Sequence, residues 1–177
     1  IETKIIAPDK REATYEQIRS ELQNGRQLYV ICARIAPPSP EDSGYGRASD
    51  PDLAQLQLKS VMAESDRLDK DVFPEYVIGT LHSKMSKDEK EYVMQAFTNK
   101  EIDILVATSV VEVGVNVPNA TIIIIEGAER FGLAQLHQLR GRVIRSNHQA
   151  YCYLFAESKT EKTLARLKAL VTAKNGF

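Results

Sequence analysis

Residues 135–145 read QLHQLRGRVIR, with Arg140, Arg142 and Arg145 inside six positions, Gly141 among them and no acid from Arg140 to His148. On a helix of 3.6 residues per turn, Gln138, Arg142 and Arg145 stand at i, i+4 and i+7 and share one face. Gly141 lies on that face as well, where a missing side chain lets a ligand come close. One amide and two guanidiniums on a notched face suit a phosphate, because the guanidinium fork matches phosphate oxygens bidentately. Arg140 points roughly 160° away from Arg142. The plainer alternative is that arginines near a helix C-terminus complement the macrodipole, at about 0.3–1 kcal/mol each. That accounts for one or two cations, but not for the face shared with Gln138 or the missing acids. Anion binding is the preferred reading.

A second candidate is ILVATSVVEVGVNVPNA (104–120). A buried strand ends at Thr108-Ser109, whose hydroxyls and amides can meet a phosphate, and Gly114 and Pro118 shape a tight loop. Taken alone, a plain connection between strands explains the segment equally well. Two other signals are negative. No G-x-x-x-x-G-K-[ST] occurs anywhere, so the chain carries no phosphate cradle of its own. Asp88-Glu89-Lys90-Glu91 has the look of a D-E-x-x box, but it opens a helix capped by Ser86 instead of following an apolar strand, and reads as a solvated helix start.

These residues need a scaffold, and its pattern is visible. TKIIA, LYVICA, YVIGTL, IDILVAT, TIIIIE and AYCYLF read as strands. KREATYEQIRSELQN, closed by Gly25, PDLAQLQLKSVMAESDRL, the helix after Ser86 with Val93, Met94 and Phe97 on one face, GLAQLHQLRGRV, and TEKTLARLKALVTAK with Leu164, Leu167 and Val171 in register read as helices. RIAPPSPEDSGYGRASDPD, with four prolines and two glycines, must be a loop. Strands as apolar as TIIIIE have no solvent face and belong to parallel sheets covered by helices on both sides. The expected fold is therefore α/β: an open, mostly parallel sheet between helices, with ligands at the carboxyl ends of its strands. That edge would carry the loops at 82–86, 108–118 and 126–132 and the arginine segment.

Composition sets the outer bounds. A chain of 177 residues with 43% hydrophobic and 27% charged residues is a soluble globular domain of ordinary size. No apolar run reaches the roughly 18–20 residues of a membrane span, and no secretory leader is visible. Cys32 and Cys152 sit in separate strand-like runs, which makes them reduced core residues of a cytosolic protein in preference to a disulfide. Net charge is −1, so any polyanion affinity must come from clustering. Besides the arginine segment, Lys159 to Lys174 holds five basic residues against Glu161 alone. The chain starts at Ile1, without methionine, which reads as a piece of a longer protein.

HQLRGRVIR resembles motif VI of superfamily 2 helicases, Q-x-x-G-R-x-G-R, and ILVATSVVEVGVNVPNA resembles their motif V. YVICARI and GTLHSKM are similar to motif IV and the segment after it. The longer string ERFGLAQLHQLRGRV (129–143) resembles the RecG family of branch-migrating DNA helicases. The related transcription-repair coupling factor Mfd differs at the positions of Arg130-Phe131 and His137. The resemblance runs from about Ile1 to Phe177.

It implies the second RecA-like domain of a helicase motor: a three-layer RecA-like helicase C-terminal domain over 1–157. Residues 158–177 would begin the helical hairpin used for translocation, truncated after its first half. In such motors ATP and Mg²⁺ are held mainly by the first motor domain, so no cofactor is expected in this chain alone. By motif match, Arg142 and Arg145 are the catalytic arginines, Arg145 at the arginine-finger position. Gly114, Asn116, Gln138 and Gly141 fall on nucleotide contacts. His82, Ser83, Lys84, Thr108 and Ser109 fall on contacts to the DNA backbone, and Arg140 is placed near DNA or in the structure. No metal ligand is assigned. The implied partners are double-stranded and branched DNA, and the first motor and wedge domains of the same chain. Membranes are excluded and the expected location is cytoplasmic, near the bacterial nucleoid. Such helicases serve DNA repair and recombination, at stalled forks and Holliday junctions.

Three departures stand out: Ile144 replaces the family's second motif VI glycine, Asn116 the motif V acid, and Ser83 the glycine of L-H-G. Ile144 is expected to hold a negative φ with its side chain turned from the Gln138 face, which leaves the motif working. Two other readings remain, an Mfd-like or RNA-directed motor and a non-catalytic module that keeps only the fold. Joint retention of Gln138, Arg142 and Arg145 argues against decay. With no phosphate-binding loop, the purified chain is expected to hydrolyse no ATP. Robust ATPase activity that Arg142→Ala abolishes would contradict this.

Overall fold

The computed structural model describes residues 2–32, 51–82, 84–108, 117–141, 149–156 and 161–172. Six strands form one sheet: β1 (Glu2–Ile6), β2 (Gln27–Cys32), β3 (Ile78–Leu81), β4 (Ile104–Ala107), β5 (Ala120–Glu126) and β6 (Tyr151–Phe155). Their order is β1-β6-β5-β2-β4-β3, and every pairing is parallel. The expected "mostly parallel" sheet is parallel throughout the described residues. Among the described residues five α-helices pack on it: α1 (Arg11–Gln23), α2 (Pro51–Arg67), α3 (Lys87–Thr98), α4 (Leu133–Gly141) and α5 (Glu161–Thr172).

Strand alternation divides the apolar residues between two cores. Leu28, Val30, Ile104, Val106, Ile122 and Ile124 face Tyr15, Ile18 and Leu22 of α1 and Val61 of α2. Tyr29, Ile31, Leu105, Ile123 and Ile125 face Met94 and Phe97 of α3, Leu136 and Leu139 of α4 and Leu167 of α5. The runs lack a polar alternate because both faces of each central strand are covered. Chain direction explains which helix goes where. From β1 to β2 to β3 the chain advances across the sheet, and the intervening α1 and α2 share one face. From β3 to β4, and from β5 to β6, it steps back, and α3 and α4 lie on the other face. A single hand of crossover requires that reversal.

Local signals hold these elements in place. Gly25, at φ +87°, ends α1 in a conformation that a side chain resists. The Ser86 hydroxyl accepts from the Glu89 amide at 3.1 Å, as the capping box predicts, and Met94 and Phe97 are buried while Val93 packs beside them. Pro51 starts α2, a position where proline loses no helical hydrogen bond. Sequence periodicity misses how this helix ends, because α2 runs into a π-helical turn over Leu68–Val72. Arg19 of α1 fastens that turn by donating to the Val72 carbonyl, pairing with Glu75 and lying 5.0 Å from the Phe73 ring centre. At the amino edge of the sheet, Gln27 Nε2 donates to the carbonyls of Phe97 (2.5 Å) and Ile102 (2.8 Å), while Asn119 donates to Gly25 (2.6 Å). The proline-rich segment expected to be a loop lies, apart from its last two residues, outside the described residues.

Gly79 of β3 is required for close packing. A Cβ there would stand 2.6 Å from Cδ1 and 3.2 Å from Cγ2 of Ile102. Gly79→Ala is expected to cost about 1 kcal/mol in urea unfolding, the low end for overpacking. Adding Ile102→Val, which removes the nearer methyl, should recover most of that loss. An additive double mutant would refute the contact.

Candidate functional site

Parallel pairing puts all six strand ends on one edge of the sheet. Register fixes the neighbours there: Ile6 beside Phe155, Phe155 beside Glu126, Glu126 beside Cys32, and Ala107 beside Leu81. His82 and Thr108 directly follow the last pair, so the two segments assigned to backbone contacts leave adjacent strands side by side. Lys84 is exposed and His82 half-buried, and the Met85 amide donates to the His82 carbonyl at 3.2 Å, which tightens the turn between them. Thr108 is only 4% exposed. Ser83 and Ser109 lie outside the described residues.

The chain leaves β5 through a left-handed turn at Gly127 (φ 61°, ψ 45°), then a 3-10 turn over Ala128–Arg130, and then enters α4. Gln135 Oε1 accepts from the Gly132 amide at 3.0 Å and stands in for a cap at the helix start. Leu136, Leu139 and Arg140 form the buried stripe of α4, and Gln138 is exposed. Gly141, one turn beyond Gln138 on that open face, has no atom within 4 Å of where a Cβ would stand. The described part of the arginine segment is therefore open at Gly141. Arg142, Arg145 and Ile144 follow, outside the described residues, as do Gly114 and Asn116.

Arg140, expected near DNA or in the structure, lies inside the domain. Four residues past Leu136, it falls on the buried stripe and is 3% exposed. Its charge is felt by Cys152 and by His137, whose pKa is lowered by burial first and by Arg140 second. It is a packing residue here. Both cysteines are buried and free, with thiol pKa values raised by burial.

One feature of this edge had no local signal in the sequence. Glu126, the last residue of β5, is held by Arg11 of α1 (Nη2 to Oε2, 3.1 Å) and approached by Arg67 of α2 (Nη2 to Oε1, 3.6 Å). Arg67 also donates to Glu64 (Nε to Oε2 3.1 Å, Nη2 to Oε1 2.6 Å) and to the Tyr15 hydroxyl (2.7 Å). Arg11 lies 5.0 Å from the ring centre of Phe155, on the strand next to Glu126. Two acids and two arginines thus cluster beneath the strand ends, where the side chains of Glu126 and Glu64 are 12% and 16% exposed.

The helicase conserved C-terminal domain family matches residues 48–147, more than half of the chain. The chain belongs to that family. This helicase C-terminal domain is 42% identical along its whole length to the ATP-dependent DNA helicase RecG of Synechocystis, covering 20% of that protein. It is 46% identical to RecG of Staphylococcus epidermidis, again over the whole chain and 24% of the relative. The chain thus spans between a fifth and a quarter of these relatives. Among solved structures, RecG bound to a three-way DNA junction matches the entire chain with a TM-score of 0.76 and 35% identity, covering 21% of that chain. The yeast DEAD-box splicing factor Prp28 matches 96% of the domain at a TM-score of 0.66 and 14% identity, covering 32% of that chain, a likeness of fold alone. A RecA-like three-layer α/β fold, expected from the sequence, is what the helicase C-terminal domain has.

Burial first, and Glu64 second, push the Glu126 carboxyl up to about 7 from its ordinary 4.5, against the pull of Arg11 and Arg67. Because the folded value is the higher one, its stabilising contribution is complete below pH 4.5 and is lost as pH rises through about 7. That interval corresponds to about 3 kcal/mol as an upper bound. Urea unfolding should therefore show the wild type losing stability relative to Glu126→Gln between about pH 5 and 8. Parallel curves for the two proteins would contradict this assignment.

Proposed function

We propose that this domain is the second motor half of an ATP-dependent double-stranded DNA helicase or translocase of RecG type, working on branched DNA such as stalled forks and Holliday junctions. The observation that carries the reading is whole-chain identity to RecG, 35% to a RecG solved on a three-way junction and 42–46% to two others. The geometry of the carboxyl edge supports it. An open, glycine-notched face of α4, bearing Gln138, leads directly into Arg142 and Arg145.

In this reading ATP and Mg²⁺ are held mainly by the first motor domain. Arg142 and Arg145 approach the transferring phosphoryl group across the cleft and offset the charge that develops on it, Arg145 as the arginine finger. Gln138 orients that face, and Gly141 keeps it clear. Gly114 and Asn116 meet the nucleotide from the motif V loop, with Asn116 keeping a hydrogen bond but no charge. Backbone phosphates run along the neighbouring ends of β3 and β4. There the exposed Lys84, with His82, is better placed than the buried Thr108, and Ser83 and Ser109 are proposed to share the contact. Such contacts are independent of base sequence, as a translocating motor needs. Residues 158–177 begin the helical hairpin that couples ATP turnover to movement. The full protein would work within repair and recombination, beside its first motor and wedge domains, in the bacterial cytoplasm.

Two substitutions in the full-length protein separate these roles. Arg142→Ala should lower DNA-stimulated ATP hydrolysis by about 10³-fold or more while leaving junction binding intact. Lys84→Ala should weaken binding to forked DNA equally for all sequences and reduce the salt dependence by about one counterion. Unchanged hydrolysis in the first, or a sequence-selective loss in the second, would count against the proposal.

A further inference from the structure

The clustered charges around Glu126 have no role in the proposed contacts, yet they sit where the chain turns from β5 toward α4. We infer that Glu126 is a positioning residue. Clamped between Arg11 of α1 and Arg67 of α2, it fixes the turn that delivers α4, and so sets where Gln138, Gly141 and the arginines after them stand at the carboxyl edge.

Connectivity leaves the turn little freedom. Glu126 is followed immediately by the left-handed Gly127 and a single 3-10 turn, and five residues separate Gly127 from Leu133, where α4 begins. A shift at the end of β5 is passed on with little slack. The clamp is also broad. Arg11 reaches Glu126 across 115 residues of sequence, and Arg67 joins it to Glu64 and to the Tyr15 hydroxyl. Glu126 is thus tied to α1 and α2 on one face of the sheet, while the helix it introduces packs on the other. The groups that face it from the elements around it are Arg11 and Tyr15 of α1, Glu64 and Arg67 of α2, and Cys32 of β2, with the Phe155 ring on β6. A fold needing only stability here would do as well with apolar side chains, since a buried ion pair is weak support for stability. What the ions add is a fixed direction for the end of β5.

Ionised Glu126 holds both arginines, and protonation loosens the clamp. Stability and activity should therefore respond to pH in opposite directions. Acidification through about pH 7 favours the folded state through this group but misplaces α4.

This inference builds on the proposed motor function, so its test has one arm that does not need turnover. In the full-length protein, DNA-stimulated ATPase is measured from pH 6 to 8.5 for wild type, Glu126→Gln and Arg11→Gln. Hydrogen exchange is followed in parallel across 128–141 and across α3. The wild-type kcat should fall toward acid. Glu126→Gln should be low and flat, with kcat down about tenfold and KM for ATP within about twofold. Arg11→Gln, which removes a charge that lowers the Glu126 pKa, should move the acidic limb to higher pH. Amides of 128–141 should exchange about tenfold faster in Glu126→Gln, with α3 unchanged. Should the wild type show no DNA-stimulated ATPase while the exchange arm behaves as described, the motor reading falls and the positioning role stands. Matching pH profiles with unchanged exchange at 128–141 would overturn the positioning role itself, as would uniform acceleration of exchange in both regions.

Discussion

The pairing of β5 between β2 and β6 is the contact on which the domain depends. Ile122 and Ile124 enter one core while Ile123 and Ile125 enter the other, and all four are fully buried. Because a parallel strand cannot be joined to its neighbour by a tight turn, each pairing forces a crossover, and the crossovers supply the two helical layers. The same parallel rule gathers every strand end at one edge. Chemistry at that edge can then be assembled from segments distant in sequence, such as the ends of β3 and β4 and the turn after β5.

Charge is deployed there in two ways. Lys84 carries its cation on the exposed surface beside the ends of β3 and β4. Arg11 and Arg67 carry theirs into a partly buried cluster balanced by Glu64 and Glu126. The first kind is proposed to meet an external anion, and the second to order the frame that presents it. Arg140 shows how close the two can be in sequence: two positions before Arg142, it is turned inward by the pitch of α4.

Much of the frame was legible in the sequence because its causes are local. Apolar runs gave the six strands, the Ser86 capping box gave the start of α3, and Gly25 gave the end of α1. Strand order was not legible, since nothing in the β1 sequence says that it pairs with β6. The π-helical turn at Leu68–Val72 escaped because its apolar spacing continues that of α2. The burial of Arg140 follows from its spacing to Leu136, four residues before it. The open face at Gln138 and Gly141 could be read from spacing, whereas the Glu126 cluster could not. The only hint was an acid closing a run of four isoleucines, and its partners lie at Arg11, Glu64 and Arg67. Long-range ion pairs leave no periodic trace.

This domain is proposed to complete a nucleotide site whose phosphate cradle belongs to another domain. The most direct test is a structure of the full-length protein on a forked DNA with a transition-state mimic of the transferring phosphoryl group. The guanidinium of Arg142 or Arg145 is expected within hydrogen-bonding distance of the mimic, with Gln138 on the same face and Lys84 against a backbone phosphate. A mimic bound with no group from this domain near it, or a cleft facing the amino edge of the sheet, would contradict the account.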